Sequence, residues 1–281
     1  MRIQWLARCL GLALMVGMAT PALAAPSAKS IARDYNLEAV TSGGARWRSH
    51  ELAELDAALA ALSDRELRAL AGVRMVRGAV PRHPRESGLY TWDRRGRRIT
   101  LYRNTFGRGK AGPNWTIVHE VAHAIAAFPL VKVRKEEERA VSAYNDAVST
   151  YNRLVRTYNA AVRTSNRTQA SGDIKRTKSL GKQVEAAGKS VSARKGPAFT
   201  AKKRTLVVQR QIRGRNPRHG VLAEYRSVLG RGPHPTPYGR THIRESFAES
   251  FAMFRCEPGR LKKMLPNVHR WFSDGGHLDG L

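Results

Sequence analysis

At 281 residues, with 42% hydrophobic and 26% charged side chains, the chain is long enough to bury a core and too apolar to be disordered over most of its length. Fifty Lys and Arg against 22 Asp and Glu leave a formal charge of +28, a surface that attracts nucleic acid, acidic envelope polymers or anionic lipid. Two cysteines exclude a disulfide-built scaffold, and no apolar run spans a bilayer securely.

Residues 1–24 read as an export signal. Arg2 and Arg8 form a charged leader, and Leu10 to Ala19 is an apolar stretch well short of the ~20 residues of a spanning helix. Ala22, Leu23 and Ala24 supply a small-x-small cleavage pattern, so the mature chain is expected to start near Ala25 and to be secreted or periplasmic; a retained anchor is the alternative. Cys9 leaves with the signal, which strands Cys256 without an internal partner and without an assigned role.

Residues 25–80 are expected to form an N-terminal helical part. Leu52, Leu55, Leu59 and Leu62 recur at helical spacing, and Ser63 with Glu66 reads as a capping box ahead of Leu67 and Leu70. Strand signals follow at Val73 to Val76, Leu89 to Trp92 and Ile99 to Tyr102, the last two flanking a polar loop that contains Gly96. Residues 81–133 are taken as the first half of a catalytic domain, closing with an apolar helix from Trp115 to Phe128 that Pro129 stops.

Three heptads begin at Tyr144, Tyr151 and Tyr158, each followed four residues on by Val148, Val155 and Val162. This is the seam of a coiled-coil-like helix, with a turn over Gln169 to Asp173 and a weaker return seam of Leu180, Val184, Ala187 and Val191. Residues 134–215 are therefore expected to be an inserted antiparallel helical hairpin. Its second arm is basic: Ile174 to Arg204 holds ten Lys or Arg and one acid, Glu185. A solvated arm and a surface for anionic polymer or lipid are both open, and no specific nucleic-acid recognition is expected. Residues 216–281 complete the catalytic domain, with a short helix over Val221 to Leu229 and helices from Thr241 to Phe254 and from Leu261 to Phe272, separated by Pro258 and Gly259.

His119-Glu120-Val121-Ala122-His123 carries the chemistry. A spacing of four sets both imidazoles on one helix face within reach of one zinc ion, while Glu120 is offset toward a metal-held water. Composition alone yields about 0.01 such matches by accident. The surrounding Ile117, Val118, Val121, Ala122 and Ile125 make the helix buried, where two histidines need partners or a metal. A catalytic zinc takes three protein ligands. Ala126 and Pro129 exclude the metzincin continuation, and Glu136 to Glu138 lie beyond the proline break. Glu245 and Glu249 share a helix face beside Phe247, Phe251 and Phe254, and at least one must meet a cation or strong donor.

With Tyr238-Gly239-Arg240-Thr241 ahead of Glu245 and Phe247-Ala248-Glu249, the chain resembles the anthrax lethal factor-like zinc metallopeptidases, a family that includes Pro-Pro endopeptidases. The resemblance covers about residues 86–130 and 236–275. It implies an α+β, zincin-like fold in which His119, His123 and Glu245 hold one zinc, Glu120 is the general base, Tyr238 stabilises the oxyanion and Glu249 supports the ligands. In zincin-like folds an edge strand pairs with extended substrate, here expected to be Ile99, Thr100, Leu101 and Tyr102. The hairpin between His123 and Glu245 departs from the family, and the toxin's delivery domains have no counterpart, so its substrate choice does not carry over. The reading is an exported zinc metalloendopeptidase acting on peptide or protein. The alternatives are a polyanion-binding envelope protein with a vestigial site and a secreted effector or toxin protease.

Overall fold

The computed structural model describes residues 25–81, 83–84, 86–93, 96–107, 112–213 and 220–279; the proposed export signal lies outside them. The protein is α+β. Helix α1 (Ala28–Asp34) leads into strand β1 (Ala39–Gly43), then α2 (Ser49–Ala60), α3 (Asp64–Ala69) and β2 (Val73–Gly78). Strands β3 (Gly88–Asp93) and β4 (Gly96–Leu101) precede α4 (Gly112–Ala126). The sheet order is β1-β2-β4-β3. β1 pairs parallel with β2 and β2 with β4, whereas β3 runs antiparallel to β4 with Tyr90 opposite Ile99.

The N-terminal region is therefore not a helical part of its own. It supplies two of the four strands, and Leu52, Leu55, Leu59 and Leu70 share one core with Ile99, Leu101, Ile117 and Phe251. β1 escapes a hydrophobicity scan because it is a half-covered outer strand whose Thr41, Ser42 and Gly43 are exposed. The capping box is present: Ser63 Oγ accepts from the Glu66 amide at 3.4 Å and Glu66 Oε2 accepts from the Ser63 amide at 2.7 Å. Beyond capping, Glu66 is buried against His277 Nε2 at 2.7 Å and the Arg255 guanidinium. That network ties α3 to the C-terminal end of the chain.

The strand expected to pair with substrate is not at the edge of the sheet. Ile99, Thr100 and Leu101 lie in β4, which is hydrogen-bonded on both sides, and all three are buried, as is Tyr102 just beyond. The outer strand beside α4 is β3.

α4 is apolar nearly all round, and buried from Ile117 to Ala126, because it runs through the centre between α8 (Ile243–Cys256), α2, β3 and β4. It stops at Ala126, but Pro129 stands in the first turn of a new helix, α5 (Phe128–Thr168), bent by 45° from α4. There its missing N–H costs nothing. Gln169, in a left-handed conformation, turns the chain into α6 (Ser171–Arg213). Contacts of Thr168 with Asp173, Tyr158 with Gly181, Tyr151 with Gly188 and Arg204 with Glu136 run in opposite order along the two helices, so the hairpin is antiparallel. The rings of Tyr158 and Tyr151 rest against Gly181 and Gly188. At the root, Thr205 Oγ1 donates to the Val133 carbonyl at 3.3 Å. Among the described residues no single helix is long and apolar enough to cross a membrane.

α7 (Val221–Leu229) matches its expected span, while the closing helices differ. Pro258 and Pro266 each open a helix, giving α9 (Pro258–Met264) and α10 (Pro266–Ser273) where a single element is expected from Leu261 onward. Under α8, Tyr225, Phe247, Phe251, Trp271 and Phe272 form a contiguous aromatic cluster with ring centroids 5.0–6.5 Å apart. This cluster fixes the helix that carries Glu245.

Candidate metal centre

Trp115, His119 and His123 stand at successive four-residue steps on α4 and project on one face. α8 crosses that face with Glu245 and Glu249. Its other sides are committed elsewhere: Phe247 and Phe251 enter the aromatic cluster, and Ser246 and Ser250 each bond the buried Tyr225 hydroxyl at 2.8 Å. Ser246 also meets His234 Nδ1 at 2.9 Å. Three differently occupied faces leave α8 one rotation, and it aims the two carboxylates at the histidines.

Glu245 Oε2 lies 3.2 Å from His119 Nε2 and 3.1 Å from His123 Nε2, and one ligand atom from each residue lies within 4.8 Å of the other two. Corners of a tetrahedron with 2.0–2.1 Å bonds are about 3.4 Å apart. The two imidazoles and the carboxylate therefore fit a single divalent ion. Glu249 Oε1 is 2.8 Å from His119 Nδ1, off the ring's N–H axis, and accepts from Trp115 Nε1 at 3.4 Å. It sits behind the triad as a prop for His119.

Glu120 faces the same cleft from the adjacent side of α4. Its Oε2 accepts from the Tyr90 amide of β3 at 2.6 Å. Gly88 makes that approach possible, since a Cβ there would stand 2.7 Å from Glu120 Cγ. Tyr238 opens a short 3-10 helix, Tyr238–Thr241, and its ring centroid is 5.9 Å from that of His119. It is 56% exposed, so its hydroxyl end is reachable from the cleft. Gly239 lets this turn sit on α8, where a Cβ would come 3.2 Å from the Ser246 Cα. The cleft has a volume of about 530 Å³ and is walled by Gly88, Leu89 and Tyr90 on one side and by Tyr238, Arg244 and Glu245 on the other.

Burial pushes Glu120 up to about 7, against the opposing pull of His119 and the Tyr90 amide. Burial also depresses His123 to about 4. For His119 burial works downward, yet the carboxylates of Glu245 and Glu249 beside its ring outweigh it and raise it to about 10. Glu245 is held far below the ordinary carboxylate range because both histidines outweigh its burial. Tyr238 is raised to about 12 by burial and by the charge of Glu245. Two carboxylates against this dry face demand a cation, which a protonated His119 or a bound divalent ion supplies.

All five residues expected at the centre (His119, Glu120, His123, Tyr238 and Glu245) line one cleft, with Glu249 at its wall. Ile99, Thr100, Leu101 and Tyr102 are not among the residues lining it. Trp115, Gly88, Tyr90 and Arg244 are additions. Trp115 could be found from its spacing to His119, whereas Gly88 and the Tyr90 amide act through backbone placement that no motif encodes. No known family model matches the sequence, and no curated protein or solved structure aligns with it significantly.

Proposed function

We propose that the protein is an exported, zinc-dependent metalloendopeptidase with a zincin-like catalytic domain of the lethal factor type. The observation that carries this reading is the convergence of His119 Nε2, His123 Nε2 and Glu245 Oε2, with Glu120 in the same cleft. Two imidazoles and one carboxylate are a donor set that suits catalytic zinc. When bound, the ion lowers the pKa of water and polarises a peptide carbonyl.

The chain's own groups complete the reaction. Glu120, held at the cleft by the Tyr90 amide, accepts the proton of the attacking water and passes it to the leaving amine. Tyr238, protonated over the whole working range, donates to the oxygen that gains charge. Tyr90 uses its amide on Glu120 while its flanking residues bond β4, so the outward groups of Gly88, Tyr90 and Trp92 form the rim along which an extended substrate can add as a strand. Backbone pairing of that kind is largely indifferent to side chains.

The test is metal content and turnover in one pair of proteins. Wild type should hold one zinc and cleave members of a peptide library. Glu120→Gln should keep the zinc and lose several orders of magnitude in turnover. Equal turnover in the two, or wild type that holds no zinc, overturns the assignment.

A further inference from the structure

The root-proximal half of the basic arm is not uniformly polar. Phe199 is 71% exposed and Leu206 and Val207 are each 46% exposed, large apolar side chains left uncovered on α6 toward its C-terminal end. Phe199 and Leu206 are seven residues apart and lie on one stripe. The helical repeat of about 3.6 residues places Lys195 and Lys202 along one side of it and Lys203 and Arg210 along the other. All four cations are exposed. About 100° round the same turns, buried Ala198 and Thr205 pack into the hairpin, so the stripe lies on the flank of the seam. Beside the stripe, Val141 and Tyr144 of α5 line a shallow apolar groove with Phe199. Residues 186–210 carry seven Lys or Arg and no acid.

A soluble polyanion would use the cations and leave the apolar stripe in water. A second copy of the chain would set like charges against each other. An anionic bilayer uses both features, with cations at the headgroups and Phe and Leu at the acyl boundary. We propose that the α6 face centred on Phe199 and Leu206 is a docking surface for anionic membrane. The surface lies near the root of the hairpin, where Arg134 stacks 4.9 Å from the ring of Trp92 in β3. The docking does not rest on the peptidase reading.

The experiment reads binding and never hydrolysis, so it fails or succeeds apart from the enzymatic assignment. Phe199→Trp is made in the full chain, and its emission is taken as the difference from wild type. Phosphatidylglycerol vesicles should shift that emission to the blue and brominated acyl chains should quench it, while phosphatidylcholine vesicles leave it unchanged. Phe199→Asp with Leu206→Asp, both at exposed positions, should keep the helical circular dichroism and weaken binding to the anionic vesicles about tenfold or more. An unshifted emission on vesicles that do bind the chain overturns the proposal in favour of charge alone. So does an equal shift with polyphosphate or duplex DNA, or unchanged affinity in the double variant.

Discussion

Replacing Gly88 by Ala sets a methyl carbon 2.7 Å from Glu120 Cγ and 2.9 Å from its Oε1. Carbon contacts relax near 3.5–4.0 Å, so the carboxylate must retreat by about 1 Å. Gly88 is in extended backbone within β3, where Ala is tolerated, and the atoms its Cβ would meet belong to Glu120 and to no metal ligand. A displacement of about 1 Å at a reacting group costs on the order of a hundredfold in rate, or about 2.7 kcal/mol. The expected result is kcat down about a hundredfold, with KM, metal content and unfolding midpoint close to wild type. Steady-state kinetics with elemental analysis measures all but the last, which denaturant titration supplies. The shorter Glu120→Asp should be less damaging in the Gly88→Ala background than in wild type, because it relieves the same clash. Turnover within about threefold of wild type would refute the idea that Gly88 seats the base. Loss of metal along with activity would refute it equally, by tracing the effect to the sheet.

His119→Ala and His123→Ala should each abolish metal retention, read by elemental analysis after dialysis. Tyr238→Phe should keep the metal and lower kcat by about tenfold to a thousandfold, since it removes one donor to the developing charge. Exchange of residues 134–213 for a short Gly-Ser link should leave small-peptide turnover within about threefold, because none of the described residues lining the cleft comes from the hairpin. Glu66 tests the fold away from the centre. Although burial raises it, bonds from His277 and Arg255 bring it down to about 2 from an ordinary 4.5. A depressed carboxylate stabilises above its unfolded value, so this contribution, on the order of 3 kcal/mol, is present at neutral pH and fades as pH falls from 4.5 toward 2. Glu66→Gln should therefore be less stable than wild type by most of that amount at pH 7, by less than half of it at pH 3 and nearly equal only near pH 2 in urea titrations; an equal deficit at pH 7 and pH 3 would contradict it.

The helices that carry the candidate centre are readable because their constraints are local. A spacing of four within one apolar helix places His119 and His123 without knowledge of the rest, and the same spacing places Glu245 and Glu249. The hairpin was readable from its heptads for the same reason. Which strand borders the cleft was not, because sequence position beside α4 says nothing about which member of a β-hairpin lies outward. Ile99, Thr100 and Leu101 form an unbroken buried run, as an inner strand does, while β3 is only partly covered along Gly88 to Trp92. β1 was hidden by Thr41, Ser42 and Gly43, whose polar character belongs to an outer strand that owes its pairing to β2. The division of the C-terminal part into short helices is not legible in the sequence, because a proline stops one helix and starts the next with equal ease.

The hairpin's root has a bearing on how the chain folds. His123 and Glu245 are 122 residues apart, a long loop to close in an unfolded chain. Val133 and Thr205 meet 72 residues apart within two helices that zip from a single local turn at Gln169. Once they have zipped, only about 50 residues of flexible chain separate His123 from Glu245, which lowers the entropic cost of closure by roughly 1 kcal/mol. The logarithm in that relation also means that adding or removing heptads changes the closure by a few tenths of a kcal/mol. The arm can thus grow or shrink over generations while the two halves of the centre still find each other on the same timescale, and its length is left to be set by whatever it reaches.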